Sequence, residues 1–369
     1  MTKLWLLMAA ALLLACGIEY RDRFMLEKRG QLERLFTFFL ILLLTGFSGL
    51  RVWGNDTITY LQIYSQTLPL EEFLTSSDYE LAHGWGFGCL TSLIKELGFS
   101  SQDYLMFYAF LTVTPYVLFV RRYCPHFISG VFLMFTTGFY TFSLAAIKQC
   151  MATGICLLAV MAALDRKWSR YGLLMVLAFL FHPYSIIYLI VPFMMFRPWT
   201  KWTYIYIILF IAVGFMLESL LGTILDVTDM IGADYNVESF KEEGVNLFRV
   251  LVSFVPLVVS VPYQKILFRN TGRTEHLMFN LCTVHAMIMF VGIFGTANYF
   301  ARLANYFLPA VVVTLPWMLN ALYEKHRLFL KASCIIGYVV FFSYDNLIRT
   351  QFDYEYTQIT LWQYITSHF

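Results

Sequence analysis

Residues 171–196 read YGLLMVLAFLFHPYSIIYLIVPFMMF, and the path of this stretch fixes the topology of the rest of the chain. A helix that crosses a bilayer needs about 17–25 apolar residues, so the stretch is long for one crossing and short for two. His182 and Pro183 stand near its middle. Proline cannot donate the backbone hydrogen bond that continues a helix, so we expect an interruption at this point.

Basic residues flank the stretch on both sides, with Arg166 and Lys167 before it and Arg197 and Lys201 after it. Basic loops stay on the cytoplasmic side. A single crossing here would place the acidic loop 221–246 inside and the basic loop 265–273 outside. We therefore predict that the chain goes out and back, as a re-entrant pair or two short helices. Each arm of about 12 residues is about 18 Å long, against a hydrocarbon core of about 30 Å. His182 would then lie at the tip, inside protein or a wet cavity.

Composition assigns the class of the protein. Hydrophobic residues make up 59% of the 369 residues and charged residues 14%, with a mean hydropathy of +0.65. Soluble domains have about 45–50% apolar and 25% charged residues. We predict an all-α, polytopic integral membrane protein with about 11–12 transmembrane segments in a single domain, residues 1–369. Its dispersed basic residues and net charge of +2 exclude a nucleic-acid partner, whereas the lipid bilayer is an expected one.

Ten further apolar runs have about the length of a spanning segment. They are Thr2–Ile18, Glu33–Arg51, Gln102–Val120, His126–Phe142, Ala146–Leu164, Trp202–Leu220, Leu247–Gln264, His276–Phe294, Leu303–Tyr323 and Leu328–Tyr344. The first run also resembles a signal peptide. Its single lysine and the bulky Leu14 beside Cys16 favour a spanning helix instead.

The loops between these runs differ in charge. The basic loops are 21–34, 121–122, 166–170, 197–201, 265–273 and 325–331, and the acidic segments are 52–101, 221–246 and the tail from 345. We predict that the basic loops are cytoplasmic and that the acidic segments and both termini are outside. The large outer loop 52–101 contains an aromatic-glycine run, residues 84–94, that predicts an interfacial amphipathic helix. Loop 221–246 is interpreted as a solvated acidic loop.

Three cationic or titratable side chains fall on the outer side of this topology: Lys148, His182 and Arg302. A charge at the bilayer centre costs about 2.5–3.5 kcal/mol on insertion scales, so such residues are functional candidates. Lysine and arginine bind phosphate, and imidazole can bind it or pass a proton. Each has a structural alternative: Lys148 and Arg302 can extend to the membrane interface, and His182 can be a hydrogen-bonded core histidine.

Asp56, in the outer loop 52–101, is a candidate general base. A carboxylate can accept the proton of a sugar hydroxyl, and a phosphate leaving group needs little acid help. The alternative is a solvated loop acid. Tyr60 follows at i+4, on the same face of a helix. Glu80 and His83 precede the aromatic-glycine run and either line a cavity or are polar loop residues.

Motifs of the common soluble enzymes are absent from the sequence. It has no P-loop, GxSxG, HExxH or dinucleotide fingerprint. The seven cysteines show no CxxC or cysteine–histidine metal spacing and are interpreted as small buried apolar residues. No cofactor and no metal ion is therefore expected.

The order of these motifs resembles the Wzy-type polysaccharide polymerases, specifically the EpsG branch of exopolysaccharide and O-antigen polymerases. The likeness covers roughly residues 51–316. The motifs that carry it are Asp56-Thr57-Ile58-Thr59-Tyr60, Gly84-Trp85-Gly86-Phe87, Ile147-Lys148-Gln149, Leu180-Phe181-His182-Pro183-Tyr184-Ser185 and Arg302 to Phe307. The family usually has arginine where this chain has Lys148, and an acid closer to the aromatic-glycine run than Glu80.

The resemblance implies a bacterial glycosyltransferase of the cytoplasmic membrane that acts on the outer face and makes capsule or other cell-envelope polysaccharide. It would polymerise polyprenyl-diphosphate-linked oligosaccharide repeat units, alongside flippase and chain-length regulator proteins. Asp56 and His182 would be catalytic, without a choice between them as base. The substrate-binding residues would be Lys148, Gln149, Arg302, Tyr60, His83, Asn305 and Tyr306.

Two other functions stay open. A transporter or flippase of lipid-linked glycans would show paired broken helices, whereas the sequence indicates only one interrupted segment. A ligase-like enzyme would use the same donor and make a single transfer.

Overall fold

The structure, a computed structural model, describes residues 1–20, 29–76, 84–220, 222–223, 244–351 and 353–368. Helices make up most of it. Those of the first half are α1 (Thr2–Glu19), α2 (Arg29–Gly49), α3 (Thr57–Gln66), α4 (Leu70–Thr75), α5 (Trp85–Glu96), α6 (Ser101–Tyr123), α7 (Phe127–Thr136), α8 (Phe139–Phe142), α9 (Ile147–Leu164) and α10 (Trp168–Phe181). A 3₁₀ helix follows, Pro183–Met194.

The second half continues with α-helices and a short π-helical turn, Asp345–Arg349. The α-helices are α11 (Lys201–Phe215), α12 (Leu247–Ser253), α13 (Val255–Leu267), α14 (Arg273–Val291), α15 (Ala297–Asn305), α16 (Leu308–Ala321), α17 (Glu324–Tyr344) and α18 (Leu361–His368). Two short strands, β1 (Arg51–Trp53) and β2 (Glu355–Tyr356), complete the described elements.

The class prediction is confirmed. Among the described residues, six helices are long and apolar enough to cross a membrane: Thr2–Glu19, Gly30–Gly49, Ser101–Tyr123, Ile147–Leu164, Leu247–Leu267 and His326–Arg349. A seventh candidate is the pair Tyr299–Asn305 and Leu308–Ala321, bent by 54°. Shorter apolar helices of 10–17 residues accompany them: Phe127–Thr136, Trp168–Phe181, Pro183–Met194 and Lys201–Phe215. The protein is therefore a polytopic helical membrane protein.

The interrupted stretch around His182 forms a hairpin of two short helices, as predicted. α10 ends at Phe181, and Pro183 begins the second arm, where its missing N–H leaves no hydrogen bond unmade. Tyr171 donates its hydroxyl hydrogen to the backbone carbonyl oxygen of Tyr188 at 2.8 Å, which joins the two arms. The second arm is a 3₁₀ helix over 12 residues rather than an α-helix.

Contacts between helices define two ends of the bundle. At one end Arg122 lies 2.5 Å from Asp165, so the basic loops 121–122 and 166–170 lie together there. At the other end the backbone N–H of Lys148 donates to the hydroxyl of Tyr60 at 3.4 Å, and β1 pairs with β2. We call the first the basic end and the second the cavity end.

The structure breaks two segments that the sequence predicts to be continuous spans. Run 126–142 divides into α7 and α8 at Gly138, whose φ of +83° lies in the left-handed region that glycine adopts without steric cost. Run 303–323 starts inside α15 and bends before α16. Within the described residues, the chain is therefore interrupted at Gly138 and between α15 and α16 as well as at His182.

Part of the outer loop is described and part is not. Glu80 and His83 lie outside the described residues, as does almost all of loop 221–246. The aromatic-glycine run does form a helix, α5. This helix packs on the tip of the His182 hairpin, because a Cβ on Gly86 would lie 3.0 Å from the carbonyl oxygen of Leu180.

The chain after α17 folds back against the first loop. β1 and β2 are antiparallel, with Arg51 opposite Tyr356. Gly54 follows β1 with φ at +110°, and a Cβ there would lie 2.5 Å from Cδ1 of Tyr354. Only glycine fits this conformation and this close approach. The turn sets the start of α3, and with it Asp56.

Candidate active site

α15 borders two cavities at the cavity end. A small pocket of about 40 Å³ is lined by Gln149, His182, Tyr184, Tyr299, Arg302, Leu303 and Tyr306. A larger cavity of about 470 Å³ includes Ala301, Arg302 and Asn305 in its wall. Residues three and four apart share a face of a helix, which explains both sets. Arg302 belongs to both, so its side chain lies at the boundary between the cavities.

The backbone of Arg302 is fixed by a buried amide. Nε2 of Gln149, in the first turn of α9, donates to the Arg302 carbonyl oxygen at 2.6 Å. Nδ1 of His285 lies 2.8 Å from the carbonyl oxygen of Ala304, on the same helix. The Arg302 side chain itself is exposed to the cavities and makes no ion pair with a described carboxylate. Its charge is therefore available to an anion.

Tyr306 orients His182, and Tyr188 fixes the backbone of Tyr306. Nδ1 of His182 lies 2.7 Å from the hydroxyl oxygen of Tyr306, a fully buried residue. The hydroxyl of Tyr188 donates to the backbone carbonyl oxygen of Tyr306 at 2.5 Å. Nε2 of His182 has no hydrogen-bond partner in the described part of the chain. The bond at Nδ1 thus orients the imidazole ring, and Nε2 is available to a ligand in the small pocket.

Lys148 approaches this group from the start of α9. Its Nζ lies 5.2 Å from the centroid of the Phe87 ring, a cation–π distance. The positive charges of Lys148 and Arg302 both act on His182. Two cations and one imidazole therefore stand around one place, on α9, α15 and the hairpin tip.

Asp56 faces the large cavity from the turn after β1. Its side chain makes no capping hydrogen bond to α3, although the residue immediately precedes that helix. Tyr60 lies one turn later, and its hydroxyl meets the backbone N–H of Lys148. Burial raises the pKa of Tyr60 to about 12, so this hydroxyl is protonated at neutral pH.

The structure brings together most of the residues that the sequence singles out. Those at the cavity end are Asp56, Tyr60, Lys148, Gln149, His182, Arg302, Asn305 and Tyr306. Gln149 and Tyr306 hold Arg302 and His182 in place, whereas Asn305 lines the large cavity. His83 lies outside the described residues.

Sequence reasoning missed one wall of the large cavity. Arg249, Asp345, Asn346 and Arg349 line it together with the loop that carries Asp56. A signal for the first was present, because Arg249 is the only charged residue in run 247–264 and such lone charges are costly in a membrane. Asp345 and Arg349 have the i,i+4 spacing of an ion pair on a helix. They lie in the segment from residue 345, where the sequence predicts only an acidic tail.

A comparison with protein-family models identifies the family of this chain. A family model described as the EpsG family matches residues 34–364. No curated protein and no solved structure matches the chain. The matched range begins in α2, ends in α18 and contains both cavities with all the residues named around them. The chain belongs to the EpsG family.

Proposed function

We propose that this protein polymerises polyprenyl-diphosphate-linked oligosaccharide repeat units into a surface polysaccharide. One observation carries the proposal: Arg302, with His182 and Lys148 beside it, borders the same cavity as the carboxylate of Asp56. Cationic side chains bind diphosphate oxygens through strong, charge-assisted hydrogen bonds. A carboxylate in the wall of the same cavity suits the hydroxyl of an acceptor sugar.

The reaction that fits this geometry is a displacement at a sugar carbon. The acceptor hydroxyl oxygen forms a bond to the anomeric carbon of the donor glycan, and the bond from that carbon to the diphosphate breaks. The polyprenyl diphosphate leaves with the electron pair, and the cations of Lys148 and Arg302 stabilise its charge. Asp56 accepts the hydroxyl proton. His182 is the alternative base, since its Nε2 faces the small pocket.

The distribution of charge supports an outward-facing site. Basic loops of membrane proteins stay in the cytoplasm, and loops 121–122 and 166–170 lie at the basic end of the bundle. The cavity end would then face the outside of a bacterial cytoplasmic membrane. There it would receive repeat units delivered by a flippase, and a chain-length regulator would act on the product.

The test uses three alanine variants of the proposed diphosphate site: Lys148→Ala, His182→Ala and Arg302→Ala. Each is reconstituted in vesicles with a labelled lipid-linked repeat unit, and the product ladder is measured at equal protein content. We expect long products to disappear. Arg269→Ala, exposed near the basic end, is the matched control and should keep the ladder. Full activity in all three variants would refute the site.

A transporter of lipid-linked glycans is the second candidate. The interruptions at Gly138, at His182 and between α15 and α16 lie around the cavities, and broken helices at membrane depth are typical of transport sites. The same vesicles discriminate the functions. A polymerase lengthens the labelled glycan, a transporter moves it across the bilayer unchanged, and a ligase-like enzyme adds one linkage per acceptor.

A further inference from the structure

Arg249 has no hydrogen-bond or ion-pair partner among the described residues. It lies in α12, half-buried in the wall of the large cavity. The nearby carboxylate of Asp345 already binds Arg349, whose Nε and Nη2 lie 2.5 and 3.2 Å from its two oxygens. The charge of Arg249 is therefore left for something that enters the cavity.

The surroundings of Arg249 are apolar on the outer surface of the bundle. Leu247 and Leu251, on the same helix, are each 61% exposed. Leu347 and Ile348, next to Arg349, are 56% and 66% exposed. In a spanning bundle such side chains face lipid. Leu247 and Leu251 share one face of α12, and Arg249, two residues from each, lies on the opposite face. α12 thus presents hydrocarbon to lipid on one side and Arg249 to the cavity on the other.

A second arginine site also matches the number of lipid diphosphates in the reaction. This step rests on the proposed function. Both substrates of the polymerase carry a polyprenyl diphosphate: the donor, which loses it, and the acceptor, which keeps it. The group around Arg302 and His182 accounts for one diphosphate. Asn305 lines the large cavity together with both arginines, and it also lines a pocket of about 30 Å³ beside Arg249.

We propose that Arg249, supported by Arg349, binds the diphosphate of the acceptor lipid. The polyprenyl chain leaves the cavity for the lipid that borders α12, and the acceptor glycan extends through the large cavity toward Asp56. The donor diphosphate occupies the separate site at Arg302. The protein therefore holds two lipid diphosphates at once, each on its own arginine.

Native mass spectrometry of the purified full-length protein with undecaprenyl diphosphate tests this proposal. We expect two bound lipids for the wild type and one each for Arg249→Gln and Arg302→Gln. Loss of a charge-assisted hydrogen bond weakens the affected site about 10- to 100-fold. Arg249→Lys, which keeps the charge, and Arg269→Gln, exposed near the basic end, should each bind two. The lipid retained by Arg249→Gln shows that this variant is folded.

Other outcomes overturn the proposal in recognisable ways. One lipid on the wild type, lost in Arg302→Gln and kept in Arg249→Gln, removes the second site and leaves the proposed function intact. No bound lipid on the wild type removes both. Loss of both lipids in Arg249→Gln means that the sites are not separate. Undecaprenol, which lacks the diphosphate, should bind neither site, and its binding at full stoichiometry would show that hydrocarbon alone is recognised.

Discussion

Gln149 donates a side-chain hydrogen bond of 2.6 Å to the backbone carbonyl oxygen of Arg302, 153 residues away in the chain. The bond joins the first turn of α9 to α15 at the boundary of the two cavities. It fixes the backbone of the arginine without touching its guanidinium group. A neutral partner on the main chain therefore positions this cation, and its charge is not cancelled.

Replacement of Gln149 by leucine should lower polymer formation at least tenfold. The change removes the donor and leaves a buried carbonyl unsatisfied, at a cost of about 1–3 kcal/mol, which shifts Arg302. Product length and the affinity for undecaprenyl diphosphate are measured. Gln264→Leu removes a local bond to the Val261 carbonyl near the basic end and should change neither. Equal affinity in both variants would show that Gln149 does not position Arg302.

Tyr306→Phe should lower activity about tenfold while the protein keeps its melting temperature within a few degrees. The variant keeps the ring but loses the hydroxyl that lies 2.7 Å from Nδ1 of His182, a bond worth about 1 kcal/mol. The chain supplies a matched control, because Tyr263 and Nδ1 of His326 lie 2.8 Å apart near the basic end. Tyr263→Phe should leave the product ladder unchanged. An equal loss in both variants would point to general destabilisation.

Asp56→Asn should decrease the rate of polymerisation about 10²- to 10⁴-fold, the usual contribution of a general base. The amide keeps the shape of the side chain but cannot accept the acceptor proton. Asp353→Asn changes an exposed carboxylate of the same cavity and serves as the control. Rates are measured in reconstituted vesicles. A normal rate for Asp56→Asn together with an inactive His182→Gln would assign the base to His182 instead.

Gly54→Ala should destabilise the protein more than Gly98→Ala. Both glycines have positive φ angles, +110° and +81°, so each substitution carries a backbone penalty of about 1 kcal/mol. At Gly54 a Cβ also meets Tyr354 at 2.5 Å, whereas Gly98 has open space around it. Overpacking adds about 1–3 kcal/mol. Thermal unfolding in detergent gives the comparison, and equal melting temperatures would mean that the tail is not held by this turn.

The sequence predicts the part of the site that stands out locally. Lys148, His182 and Arg302 are polar groups in apolar runs, and such groups are rare enough in a membrane to be recognised one by one. Arg249 is also a charged residue in an apolar run. That run has the length of an ordinary spanning helix, so the pattern predicts a span and does not single out the arginine. Gly138 shows a different limit, because a glycine inside a helical pattern does not by itself reveal a break.

The pairing of β1 with β2 could not be predicted in this way. Each strand has only two or three residues, and about 300 residues separate them. No local pattern of two or three residues distinguishes a strand from a loop. The sequence therefore does not reveal that Asp353 and Tyr354 line the cavity beside the turn at Gly54.

The position of β2 in the chain has a consequence for biogenesis. β2 follows all the spanning helices identified among the described residues, and Asp353 and Tyr354 just before it line the cavity beside the loop that carries Asp56. A ribosome therefore releases the hairpin of His182 and the helix of Arg302 well before the strand that completes their chamber. We therefore expect the chamber to be complete only after the whole bundle has been inserted, so that partly synthesised chains in the membrane lack its last wall.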